Sequence, residues 1–232
     1  MSLRVVIAPD SFKECLPSHQ VCDALEVGIK RACPDAQTIK VPMADGGQGT
    51  VEAVVRAAGG EFHSVTVTGP LGQPVEAKFG VIDQGATAIL EMASASGLEL
   101  IARDQRDPLR ASTFGTGQLI QAAMDRGVKR IVLGIGGSAT NDGGAGMAQA
   151  LGYRLLDAKD ASLSPGGGQL DRLARIEGTN RDPRLDEIQL EVACDVVNPL
   201  TGHKGESAVF GPQKRTTPEM IRKIDAKQEH IA

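Results

Sequence analysis

RIVLGIGGSATNDGGAGMAQAL, residues 130–151, sets a strand, a glycine-rich loop and a helix end to end. Ile131, Val132 and Leu133 form the short apolar, β-branched run that a buried strand needs, and helix-compatible residues resume after Gly144. The six glycines from Gly134 to Gly146 let backbone N–H groups approach an anion closely, and the next helix would present its positive end to it. Ser138, Thr140 and Asn141 add neutral donors. The plainer alternative is a tight strand-to-helix turn. A GxxxxGK[ST] run occurs nowhere in the chain, so this is not a P-loop. Residue 139 is Ala, which breaks the dinucleotide fingerprint begun by Gly134-Ile-Gly136. Ser138 sits in GGSAT, not in a GxSxG elbow, and hydrolase chemistry drops out with it.

Strand and helix signals alternate toward the N-terminus as well. Residues 3–8 (LRVVIA) read as a buried strand that leads into the polar turn Pro9-Asp10-Ser11-Phe12-Lys13. Ser18 can cap a helix whose apolar face runs Val21, Leu25, Ile29 and Ala32, stopped by Cys33-Pro34. Residues 37–41 form a second strand, and DGGQGT (45–50) opens a helix bearing Val51, Val54, Val55 and Ala58. Such alternation implies a parallel sheet with its loops gathered at the carboxyl edge. Near Phe62 the period changes to two, through Val65 and Val67, then Val75, Ala77, Phe79 and Val81, which predicts an antiparallel meander and a domain change. Helical signals return over residues 117–126. A late strand covers 187–194, and Thr216-Thr217-Pro218-Glu219 opens the last helix. The fold class expected is α/β, with a parallel and a mixed sheet.

The composition narrows the chemistry. The chain has 232 residues, 41% of them hydrophobic and 23% charged, with a net charge of −4, a balance that suits a globular protein and disfavours nucleic-acid or membrane partners. No apolar run approaches the roughly 18 residues of a membrane span, and no secretory signal is evident, so a cytoplasmic location is expected. The 28 glycines exceed the usual share of about 7%. With no Trp and one Tyr, aromatic stacking is a poor binding device here, and backbone-lined sites are expected instead. Cys15, Cys22, Cys33 and Cys194 lack metal-ligand spacing and read as reduced thiols.

Carboxylates, amides and lysines collect at the predicted strand ends. Asp45 with Gly46 and Gly47 pairs an acid with amide donors, a combination suited to Mg²⁺ and phosphate. Asp10, Ser11 and Lys13 follow the first strand, and Lys13 could neutralise a transferring phosphoryl group. Ser94 lies among small residues after another strand. Asp195 and Asn198 could ligate Mg²⁺ or take a hydroxyl proton. Lys214, just before the last helix, is a candidate substrate- or phosphate-binding residue. With no nucleophilic triad and no histidine cluster, phosphoryl transfer to a small hydroxylated anion fits best.

Seven stretches carry a resemblance: IAPDSFKE (7–14), ADGGQGT (44–50), TGPLG (68–72), EMASASGLEL (91–100), GIGGSATNDGGAGM (134–147), EVACDVVNPLTG (191–202) and VFGPQK (209–214). In this order they closely resemble the bacterial type I glycerate kinase family. The resemblance implies ATP- and Mg²⁺-dependent phosphorylation of D-glycerate, with 2-phosphoglycerate favoured over 3-phosphoglycerate, and leaves room for a homodimer. It also implies two α/β domains: residues 1–61 as the first part of a discontinuous Rossmann-like domain completed beyond residue 232, and residues 62–232 as an inserted domain with a mixed sheet. By the resemblance, Asp10, Lys13 and Asp45 face the cleft from one side. Ser94, the 136–142 loop (Gly136, Gly137, Ser138, Thr140, Asn141 and Asp142), Asp195 and Asn198 face it from the other. Asp195, Lys13 and Asp45 are the expected catalytic set, with Asp195 as base or Mg²⁺ carboxylate. Gln48 and Gln118 stand where the family usually has Glu. The alternatives left open are a non-catalytic anion- or nucleotide-binding relative and a kinase of a related hydroxy acid.

Overall fold

A computed structural model describes residues 3–12, 15–44 and 46–231. The chain begins with a strand–helix–strand unit: β1 (Arg4–Ile7), α1 (Ser18–Ala32) and β2 (Gln37–Lys40). β1 and β2 pair in parallel, Arg4 opposite Gln37. The cap of α1 is Pro17 and not Ser18: the Pro17 carbonyl accepts the N–H groups of Gln20 and Val21, while no side chain caps the helix. Proline's fixed φ already sets the entry angle. On α1, Val21 and Cys22 are buried, whereas Leu25 is 45% exposed. α2 (Thr50–Ala58) follows the DGGQGT loop.

β3 (Glu61–Thr68), β4 (Pro74–Ile82) and β5 (Thr87–Glu91) form the expected antiparallel meander. α3 (Met92–Ser96) and α4 (Phe114–Met124) lead to β6 (Arg130–Gly134), then α5 (Ala145–Ala150), β7 (Arg154–Leu156), β8 (Arg175–Glu177) and β9 (Gln189–Ala193). α6 (Glu206–Phe210), a 3₁₀ turn at Gly211–Lys214 and α7 (Pro218–Ile231) close the chain. α7 begins as its sequence predicts, with Thr217 Oγ1 accepting the Met220 N–H. The main sheet runs β3-β4-β5-β6-β9, antiparallel through β5 and parallel from β5 to β9. A mixed sheet with helices on both faces makes the fold α/β.

Period-two patterning decides which face each side chain serves. Ala88 and Leu90 of β5, with Ile131 and Leu133 of β6, turn toward Leu119, Ile120, Ala123 and Met124 of α4. Ile89 and Val132 turn the other way, against Val51, Val54 and Val55 of α2. α4 starts earlier than its apolar pattern suggests because glycines hide the first turn. A Cβ at Gly117 would run into the Met147 carbonyl, so close approach to α5 demands glycine there. The small β7–β8 sheet covers a separate cluster of Leu155, Leu163 and Leu170 that shows no clear period in the sequence.

Candidate active site

The parallel strands end in register. Glu91, Gly134 and Ala193 stand side by side at the carboxyl edge of β5, β6 and β9. The loop before α2 lies across this edge. The Gly46 carbonyl accepts the Gly136 N–H at 3.2 Å, and the Ala193 carbonyl accepts that of Ile135 at 3.3 Å. A Cβ on Gly134 would overlap the Gly46 carbonyl, and one on Gly136 would lie 2.8 Å from Gly47 Cα. Both glycine loops predicted to bind anions therefore touch each other, backbone to backbone, beside the segment that carries Asp195.

Carboxylates of the protein itself occupy the helix N-termini. Glu91, 7% exposed, accepts the Val51 N–H at 2.6 Å, and the amides of Gly49 and Thr50 also stabilise its charge. This caps α2 from a neighbouring strand, since Gly49 at the cap position has no side chain to do so. Burial pushes the Glu91 carboxyl up to about 7 against the pull of these amides. Asp142, wholly buried, accepts from Thr113 N at 2.8 Å, Thr113 Oγ1 at 2.9 Å, and Gly144 N and Gly146 N at 3.2 Å each. Burial raises its pKa too, with those donors opposing. The amides that precede and open α5 are thus held by Asp142 and the Gly136 N–H by Gly46, which leaves the backbone of the turn at Gly137 and Ser138 as the surface open to an anion. There Gly137 is exposed with φ +74°, and Gly136 and Ser138 are half-buried.

The other expected residues are placed as follows. Thr140 and Asn141 are buried behind the turn, and Lys214, 2% exposed, reaches the Thr140 carbonyl from the 3₁₀ turn. Asp195 is exposed just past β9; Asn198, also exposed, donates to the Lys204 carbonyl at 3.0 Å. Asp10 accepts the Ser11 N–H at 2.5 Å, both residues being half-buried beyond β1. Ser94 Oγ accepts the Lys78 N–H at 2.7 Å, which ties it to β4. Gly46 and Gly47 are buried under the strand ends. Lys13 and Asp45 lie outside the described residues. Gln48 donates to Glu99 at 2.7 Å, and Gln118 accepts the Thr68 N–H at 2.7 Å. Sequence reasoning missed Glu91, Thr113 and Glu206 as parts of the site. A charged residue ending the buried run Thr87-Ala-Ile-Leu90 was the available signal for Glu91; Glu206 left none.

Among the described residues no group of three or more His, Cys, Asp or Glu side chains could hold a metal. Asp195, exposed at the edge, could supply a single carboxylate to an ion such as Mg²⁺, which takes one or two carboxylates and fills its other positions with other oxygen ligands.

Residues 5–232 match the model of the glycerate kinase family. The chain belongs to that family. It is 54% identical over 230 residues to a glycerate kinase of Bacillus subtilis (strain 168), covering 99% of this chain and 60% of that protein. To a glycerate 2-kinase of Escherichia coli (strain K12) it is 50% identical, again over 99% of this chain and 60% of the relative. A crystal structure from Salmonella typhimurium LT2, described as a candidate glycerate kinase 2, superposes with a TM-score of 0.86 at 53% identity. It is matched over 100% of this chain and 63% of its own. The chain thus spans about 60% of the length of the curated relatives it matches.

Proposed function

We propose that this chain carries the strand-edge loops of a cytoplasmic glycerate kinase, which transfers the γ-phosphoryl group of ATP to D-glycerate and favours 2-phosphoglycerate as product. The observation that carries the reading is the family match along residues 5–232. The contact between the 46–49 and 134–138 loops supports it, because it collects backbone donors and Asp195 at one sheet edge. In the transfer, a glycerate hydroxyl oxygen attacks the γ-phosphorus, the bond to the β-bridging oxygen breaks, ADP leaves and the hydroxyl proton is taken up. Asp195 either accepts that proton or would hold Mg²⁺, which would offset the phosphate charge. The turn at 136–138 orients phosphate oxygens, Asp10 and Ser11 approach from the first strand–helix–strand unit, and the family resemblance adds Lys13 and Asp45 to the catalytic set. Free thiols at Cys15, Cys22, Cys33 and Cys194 suit a reducing compartment.

The domain arrangement is part of this proposal: residues 1–61 begin one domain and 62–232 form another, with α2 packed on the sheet of the second. Val6 and Ile39, opposite one another in the β1–β2 ladder, are 63% and 42% exposed, an apolar face that suits cover by another packed layer. Steady-state ADP release by the full-length protein, measured with D-glycerate, L-glycerate and lactate in turn, tests the acceptor. D-glycerate should be preferred, and Asp195→Asn should lower turnover by more than about tenfold. A loss smaller than that removes Asp195 from the reaction.

A further inference from the structure

We infer that Glu206 and Lys214 are positioning residues that hold the glycine-rich loop in place at the strand ends; the catalytic arm of this inference rests on the kinase reading above. Lys214 Nζ donates to the Thr140 carbonyl at 2.6 Å and contacts Ser138 Oγ at 3.4 Å, while pairing with Glu206 Oε1 at 2.5 Å. The second Glu206 oxygen accepts from Asn141 Nδ2. Asn141 Nδ2 also reaches Ser207 Oγ at 3.2 Å, and that hydroxyl donates to the buried Gln228 at 2.8 Å. One ammonium and one carboxylate therefore grip the loop at residues 138, 140 and 141, immediately behind its exposed apex. From the other side, Arg106 donates to the Gln213 carbonyl at 3.1 Å and the Leu98 carbonyl at 3.3 Å, and the Leu98 N–H donates to Gly137 O at 3.0 Å.

Lys214 is too deeply buried and too closely paired to act as a free cation for substrate, so its effect passes through the loop. An ion pair with Lys214 buried and Glu206 29% exposed is also a poor route to stability, since desolvation offsets much of its attraction. What the pair supplies is geometry: rigid placement of the 136–138 backbone against a transferring phosphoryl group, where a displacement of about 1 Å can cost roughly a hundredfold in rate.

The test uses the full-length protein with Lys214→Met and Glu206→Met combined. The double variant should melt within about 5 °C of the parent, since both partners are replaced at once and no unpaired charge is left beside the loop. Amides of residues 137–141 should exchange hydrogen at least about tenfold faster. Turnover should fall at least about tenfold while KM for ATP and for D-glycerate changes less than about threefold. Unchanged exchange, or faster exchange with unchanged turnover, overturns the inference. If the double variant does not fold, Glu206→Gln alone faces the same two criteria. Failure of the parent to phosphorylate D-glycerate would count against the kinase reading, and the exchange rates would still decide whether the pair anchors the loop.

Discussion

Glu91 shows how one buried carboxylate organises the loops at the strand ends. It ends β5, receives the N-terminal amides of α2, and so fixes the loop that lies against Gly134 and Gly136. The ionised form suffers from burial, which raises the folded pKa from 4.5 to about 7. The native state then binds this proton more tightly than the unfolded chain does. Its contribution to stability is complete below about pH 4.5 and is lost as pH rises through 7, a loss of about 3 kcal/mol. Glu91→Gln removes that dependence. The variant should gain stability relative to the parent as pH is raised from about 5 to about 8, measured by denaturant melts at each pH. A stability difference that does not change with pH would show that Glu91 does not titrate in this window.

At the scale of elements, the design depends on long-range hydrogen bonds between loops and helix starts. Thr113 precedes α4, donates to Asp142 through both N–H and hydroxyl, and accepts the Met147 N–H of α5 at 2.9 Å. Thr113→Val should cost roughly 1–3 kcal/mol in thermal or urea unfolding, because Asp142 loses a donor and the Met147 N–H loses its acceptor. A cost below about 0.5 kcal/mol would mean that water replaces the hydroxyl. The elements were largely legible from local pattern: the run 131–133, the alternation through Val75, Ala77 and Phe79, and the Thr-Thr-Pro-Glu start of α7 each encode their own geometry. The occupants of the helix N-termini, and the lysine behind the glycine-rich loop, were not. Glu91 lies 40 residues from Val51, Asp142 lies 29 from Thr113, and Lys214 lies 74 from Thr140. Glycine loops announced donors in the sequence, but only the folded chain shows that internal carboxylates already hold many of them.

Across the whole molecule, the strand order brings the ends of β5, β6 and β9 together under the loop from the first βαβ unit, so residues from both parts of the chain meet at one edge. No helix among the described residues is long and apolar enough to cross a membrane. The proposed activity of this edge, phosphorylation of D-glycerate, is read out by phosphorus NMR of the full-length protein with Mg-ATP and D-glycerate. The account predicts that ATP signals give way to ADP and a new phosphomonoester, whose proton coupling marks phosphate on the C2 oxygen. ATP left intact in the presence of D-glycerate, with the protein folded and at its full mass, would contradict it.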